Sequence, residues 1–164
     1  MGTEMIDLNA ELPDEILKLL GQICVNYGQL EHVLMLAIKR TTGGSLEEKV
    51  MMKIARDTGN VPALTKKARD EYAIRFMNQK LEADFEEALT AADDPKRRRH
   101  QVVHRLWGMK ASGTVNWPEK YPRNVDDLKK LADDLRAAAI KINPLTGVLL
   151  DRAVLTEVSA TSTL

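Results

Sequence analysis

The chain has 164 residues, enough for one domain with a real core, and 44% are hydrophobic, yet only two are Trp, two Phe and three Tyr, so aliphatic packing must dominate. Its 24 basic and 24 acidic residues cancel, which removes any whole-chain electrostatic reason to coat nucleic acid. The single cysteine, Cys24, excludes an internal disulfide framework and thiolate metal clusters, and reads as a small buried hydrophobe in a reducing cytoplasm.

The N-terminal arm, residues 1–12, is acidic and lacks the apolar core of a signal peptide, and Ile6 breaks the myristoylation pattern that Gly2 would need. The longest uncharged run, Leu19 to Leu30, is too short to cross a bilayer, so a cytoplasmic, soluble protein with no membrane partner is expected. A first helix opens at Pro13, with Asp14 and Glu15 well placed in its first turn. Ile16, Leu20, Ile23, Tyr27, Leu30, Leu34 and Ala37 recur at alternating steps of four and three, a seam for packing against other helices. The helix should stop near Arg40 or Thr41, before Gly43 and Gly44.

Ser45 and Glu48 form a capping box for a second helix carrying Leu46, Val50 and Ile54 and stopping before Gly59. Pro62 opens a third, from Ala63 to about Lys80, with Leu64, Ala68, Tyr72 and Met77 facing inward. A further segment, Leu81 to Ala92, carries Leu81, Phe85 and Leu89 at steps of four. Asp94 and Pro95 then read as the cap and first residue of a helix running to about Trp107. The stretch GMKASGTVNWPEKYPRN has two Gly, two Pro and no helical period, so it reads as a loop with short extended pieces. Asn124 caps a last helix, Val125 to Ile142, with Leu128, Leu131, Leu135, Ala138 and Ile142 inward, and Asn143-Pro144 is expected to end it. Residues 143–164 then form a C-terminal tail beyond a domain of residues 13–142, an all-α antiparallel bundle of four to six helices.

Charge is concentrated in mid-chain. Leu81 to Asp94 holds six acidic residues and no basic one, whereas Pro95 to Pro118 holds six basic residues and no acidic one. Phosphate-binding glycine loops, the Gly-x-Ser-x-Gly elbow and His-Glu-x-x-His are all absent, which leaves DDPKRRRHQVVH, Asp93 to His104, as the stretch that carries chemistry. Val102, Val103, Leu106 and Trp107 give this helix an apolar side, so it packs, with Trp107 in the core. His100 and His104 share a face, while Arg99 and His104 stand about 140° apart around the axis, within reach of one phosphate for a long side chain.

Arg99, His100, three residues, His104 and then RLWG resemble the signature of the HEPN superfamily (higher eukaryotes and prokaryotes nucleotide-binding), and NYGQLEHVL, Asn26 to Leu34, is similar to a first-helix pattern of its bacterial members. The resemblance implies a small helical domain that dimerises and, in many members, a metal-independent ribonuclease acting as a toxin or antiviral effector. It implies Arg99 and His104 as the catalytic residues. Arg97 and Arg98 also lie within the family's spacing from His104; Arg99 is chosen because polar His100 follows it, where the family more often has Asn. Arg105 stands where a glycine often follows the histidine.

The chemistry asks for these types: a base near the RNA 2′-hydroxyl, or an acid for the leaving oxygen, from His104, and a cation at the phosphate from Arg99. His100, Arg98 and Glu31 are expected to support them, with Glu31, which interrupts the row Leu17, Cys24, Ile38, pairing with Arg98 or Arg99. Lys96, Arg97 and Arg105 are expected to contact RNA. No metal or cofactor is expected, and the partners anticipated are a second copy, RNA or a nucleotide, and an antitoxin or other protein. Three other readings compete: a solvated basic face, an inert module binding a protein or nucleotide through the same groove, and a metal pair at His100 and His104.

Overall fold

A computed structural model of the protein describes residues 6–7, 11–41, 61–75, 79–104, 108–110, 112–118 and 120–161. Among the described residues the chain is mostly helical: α1 (Asp14–Thr41), α2 (Val61–Arg75), α3 (Gln79–Val103) and α4 (Val125–Thr161). A two-residue ribbon joins β1 (Ile6–Asp7) to β2 (Met109–Lys110), with Ile6 opposite Lys110. The helix expected after Ser45, and Arg105, Leu106 and Trp107, lie outside the described residues. No described helix is long and apolar enough to cross a membrane.

The periodic seam of α1 is buried as its spacing dictates: Ile16, Ile23, Leu30, Leu34 and Ala37 reach the core, and Leu20 and Tyr27 pack against it half-buried. Its first turn hangs on the Pro13 carbonyl, which accepts from the Ile16 and Leu17 amides at 2.9 and 3.1 Å. The opposing seam is on α4, where Leu128, Leu131, Leu135, Ala138 and Ile142 are all buried. At α4's start Asn124 Oδ1 accepts from the Asp127 amide (2.9 Å) and Asp127 reaches back to the Arg123 amide (2.8 Å), so the expected cap is present and reciprocated. Burying each of these aliphatic side chains stabilises the bundle by about 1.5–3 kcal/mol.

Two prolines behave differently from expectation. Pro95 is not a helix start but lies inside α3, which runs unbroken from Gln79 to Val103. The charge boundary explains how the helix survives: Asp93 pairs with Lys96, and Asp94 pairs with both Arg97 and Arg98, so three ion pairs at i,i+3 and i,i+4 straddle the proline. Pro144 likewise lies inside α4, which continues to Thr161. Ile140, whose carbonyl loses its amide partner, and Pro144 itself are both on the exposed side, where water can serve that carbonyl. The turn beyond is tied down: Thr146 is buried and its Oγ1 donates to the Asn143 carbonyl at 2.6 Å.

Polar contacts fix helix directions. Glu87 pairs with Lys141 and Arg98 with Asp134, so α3 and α4 are antiparallel; Thr65 meets Lys96 and Arg69 meets Glu86, so α2 and α3 are too. By contrast Glu15 meets Lys129 and Asn26 Nδ2 donates to the Ala132 carbonyl (2.8 Å), so α1 and α4 run the same way. After α3 the chain turns through β2, where Gly113 takes a φ of +78° that other residues rarely adopt and closes a tight turn onto the Lys110 carbonyl. This layout lays the middle of α1 alongside the C-terminal half of α3.

A candidate active-site groove between α1 and α3

A groove of about 910 Å³ opens between the two helices. Cys24, exposed rather than buried as expected, lines its α1 wall with Tyr27, Gly28 and Glu31, at steps of three, one and three, which keeps them on one face. The α3 wall supplies Asp93, Lys96, Arg97, Arg99, His100 and His104.

Arg99 lies at the centre. Its guanidinium carbon sits 4.2 Å from the centroid of the Tyr27 ring, a cation–π contact that ties it to α1. Its Nε is buried and has no hydrogen-bond partner, and among the described residues no carboxylate closes an ion pair with it. The imidazoles of His100 and His104 stand beside it, both exposed, with ring centroids 4.3 Å apart. The His104 amide still bonds to the His100 carbonyl (3.2 Å), so the last turn of the helix fixes where the second ring emerges.

Glu31 is half-buried in the same groove. Burial pushes its carboxyl above the ordinary Glu value, and the positive field of Arg99 opposes that rise without cancelling it. Arg99 is thus the basic residue that Glu31 senses. Arg98, the other partner expected for it, turns to the far side of α3.

There Arg98 Nη2 donates to Asp134 Oδ2, Nε lies 2.7 Å from Asp94 Oδ2, and Nη1 donates to the Tyr121 hydroxyl at 3.4 Å. The Tyr121 hydroxyl in turn donates to the Asp127 carbonyl (2.7 Å). Burial works against the Arg98 charge, but the bonds to Asp134 and Tyr121 and the field of Asp94 outweigh it and raise its pKa. Arg98 is a clamp between α3 and α4.

Lys96, expected to touch RNA, is only 5% exposed; its Nζ donates to Thr65 Oγ1 at 2.9 Å and pairs with Asp93. Asp93 also lies 3.5 Å from Arg69, whose Nε reaches both oxygens of Glu86, so Lys96 closes a network that joins α2 to α3 behind the groove. Arg97 faces outward and pairs with Asp94 at 2.8 Å, a bond that holds the Asp94 carboxyl below its ordinary value. Arg105 lies outside the described residues. Among the described residues no three His, Cys, Asp or Glu side chains come together as a metal-binding set, so the His100–His104 pair has no third ligand there.

Sequence reasoning placed Tyr27 in the apolar seam and missed its second role. The available signal was its spacing: Tyr27 and Glu31 are four apart, so any residue meeting one on that face lies near the other. Asp93 and Thr65 were missed for a different reason, since their partner Lys96 becomes visible only when α2 and α3 are docked. No protein-family model, curated protein or solved structure matches the chain.

Proposed function

We propose that the protein is a metal-independent endoribonuclease of HEPN type, in which Arg99 holds the scissile phosphate and His104 transfers a proton. The observation that carries this reading is Arg99 itself. Of the consecutive cations of α3, Lys96, Arg97 and Arg98 are each committed to an aspartate, whereas Arg99 is held on Tyr27 with no carboxylate among the described residues, beside two exposed imidazoles. A guanidinium fork that no carboxylate among the described residues holds in an ion pair is a site for a phosphate, whose two oxygens match its geometry and whose charge grows in the transition state.

Attack by the RNA's own 2′-hydroxyl on phosphorus needs no metal and leaves a 2′,3′-cyclic phosphate. His100 supports the site by packing on the His104 ring. A second copy belongs to the proposal. Val25 and Ile140, each 61% exposed, line a shallow cleft between α1 and α4. Gly28 borders both this cleft and the Arg99 groove, so a copy docked here lies beside the catalytic residues.

The test is a mutant series on labelled RNA. Arg99→Ala and His104→Ala should each lower kcat/KM by about 10²-fold or more, the scale for losing a phosphate cation or a proton-transfer group, with helicity unchanged. Expression of the wild type should arrest bacterial growth if the ribonuclease serves as a toxin, and His104→Ala should not. Full activity in His104→Ala would refute the assignment.

A further inference from the structure

A His–Arg pair alone lacks a second proton-transfer group, since 2′-hydroxyl attack both removes a proton and must return one to the departing 5′-oxygen. The groove holds a second group. Resting on the ribonuclease reading, we infer that Glu31 is the general base and His104 the general acid of one chain, so that each copy carries a complete acid–base set across its own groove. In this step the 2′-oxygen forms its bond to phosphorus as its proton passes to the Glu31 carboxylate. The bond from phosphorus to the 5′-oxygen breaks as His104, protonated, gives that oxygen a proton.

Three observations carry the assignment. Glu31 and His104 stand on opposite walls, one from α1 and one in the turn that ends α3, with Arg99 reaching across to the α1 wall at Tyr27. Attacking and leaving oxygens lie roughly in line through phosphorus, so a base and an acid are needed on opposed sides of a phosphate held at Arg99. Opposed walls supply them.

The second observation is that Glu31 is not consumed structurally. Among the described residues it makes neither an ion pair within 4.0 Å nor a hydrogen bond, in contrast to Asp93 on the other wall, which holds Lys96. A half-buried carboxylate left without a bonded partner is costly, and such residues concentrate at functional sites. The third is the balance of its surroundings. The groove it lines also takes in Arg99, parts of Arg97 and Lys96 whose charged ends are paired elsewhere, the imidazoles of His100 and His104, the carboxylate of Asp93, and on α1 the Tyr27 phenol and the Cys24 thiol. Burial raises its proton affinity, which makes it a stronger base, and the field of Arg99 partly offsets that rise.

The assignment is tested with two substrates: a short RNA, and a nitrophenyl ester of a 3′-nucleotide, whose nitrophenolate departs without needing a proton. Glu31→Gln, which preserves shape, should lower kcat/KM on both by about 10²- to 10⁴-fold and abolish the acid limb of the pH profile. His104→Ala should be severely impaired on RNA and largely spared on the ester. Glu31→Asp should restore the acid limb at a reduced rate, which a merely structural carboxylate would not do. If Glu31→Gln keeps the wild-type rate or acid limb while His104→Ala is dead on RNA, Glu31 is not the base although the ribonuclease reading stands. A wild type that cleaves neither substrate removes both.

Discussion

Arg98 and Arg99 are neighbours in sequence and opposites in role, because successive residues on a helix are rotated by about 100°. Arg98 is spent on Asp134, Asp94 and Tyr121, whereas Arg99 lies on Tyr27 in the groove. Urea unfolding should separate them: Arg98→Ala should cost about 1.5–3 kcal/mol, the scale of a shielded charge-assisted hydrogen bond, and Arg99→Ala less than about 1 kcal/mol. Equal losses would contradict this division. Asp94 supplies a pH test. Its folded-state pKa is lowered by Arg97 and Arg98, so the stability it contributes is present above the ordinary Asp value and is lost as pH falls through the lowered one. Asp94→Asn should therefore reduce stability at neutral pH and flatten its loss at acid pH, measured as Tm against pH. Lys96 shows where a sequence reading of charge stops. A lysine among arginines reads as solvated, and its burial depends on Thr65 arriving from another helix.

Among the helices, those with a continuous apolar period were legible from sequence, since the spacing that defines the seam of α1 or α4 is the spacing that buries it. Prolines were not. Pro95 and Pro144 carry the local signature of a helix boundary, yet pairing along α3 and packing along α4 outweigh a cost of about 3 kcal/mol each. Along α3 the likeness to the family signature singled out Arg99, His100 and His104, which line one groove, but nothing in the sequence reached across to α1, whose Tyr27 meets Arg99 only after folding. The continuation of α4 has a consequence for stability: Leu145 packs against the core and Thr146 is fully buried. A chain truncated after Ile142 should lose about 2–4 kcal/mol, the scale for removing a large apolar side chain and a buried hydrogen bond, and thermal unfolding would record the fall. An unchanged Tm would mean that the turn beyond Pro144 contributes nothing.

At the scale of the molecule, zero net charge coexists with a locally cationic groove because the acid-rich half of α3 neutralises most of its basic half internally and leaves Arg99. Binding of RNA should therefore weaken only modestly with salt, with a slope set by few phosphate contacts, unlike that of a polybasic protein. Light scattering at tens of micromolar should give a dimer, and Val25→Glu, which places a charge in the exposed apolar cleft, should shift it toward monomer. If acid and base both come from one groove, that monomer should retain cleavage. The central claim rests on metal-free phosphate chemistry at Arg99 and His104, and the most direct measurement is end-group analysis of RNA incubated with the purified protein in EDTA. The predicted result is fragments ending in a 2′,3′-cyclic phosphate from the wild type and intact RNA from His104→Ala; cleavage that EDTA abolishes, or identical fragments from both proteins, would contradict it.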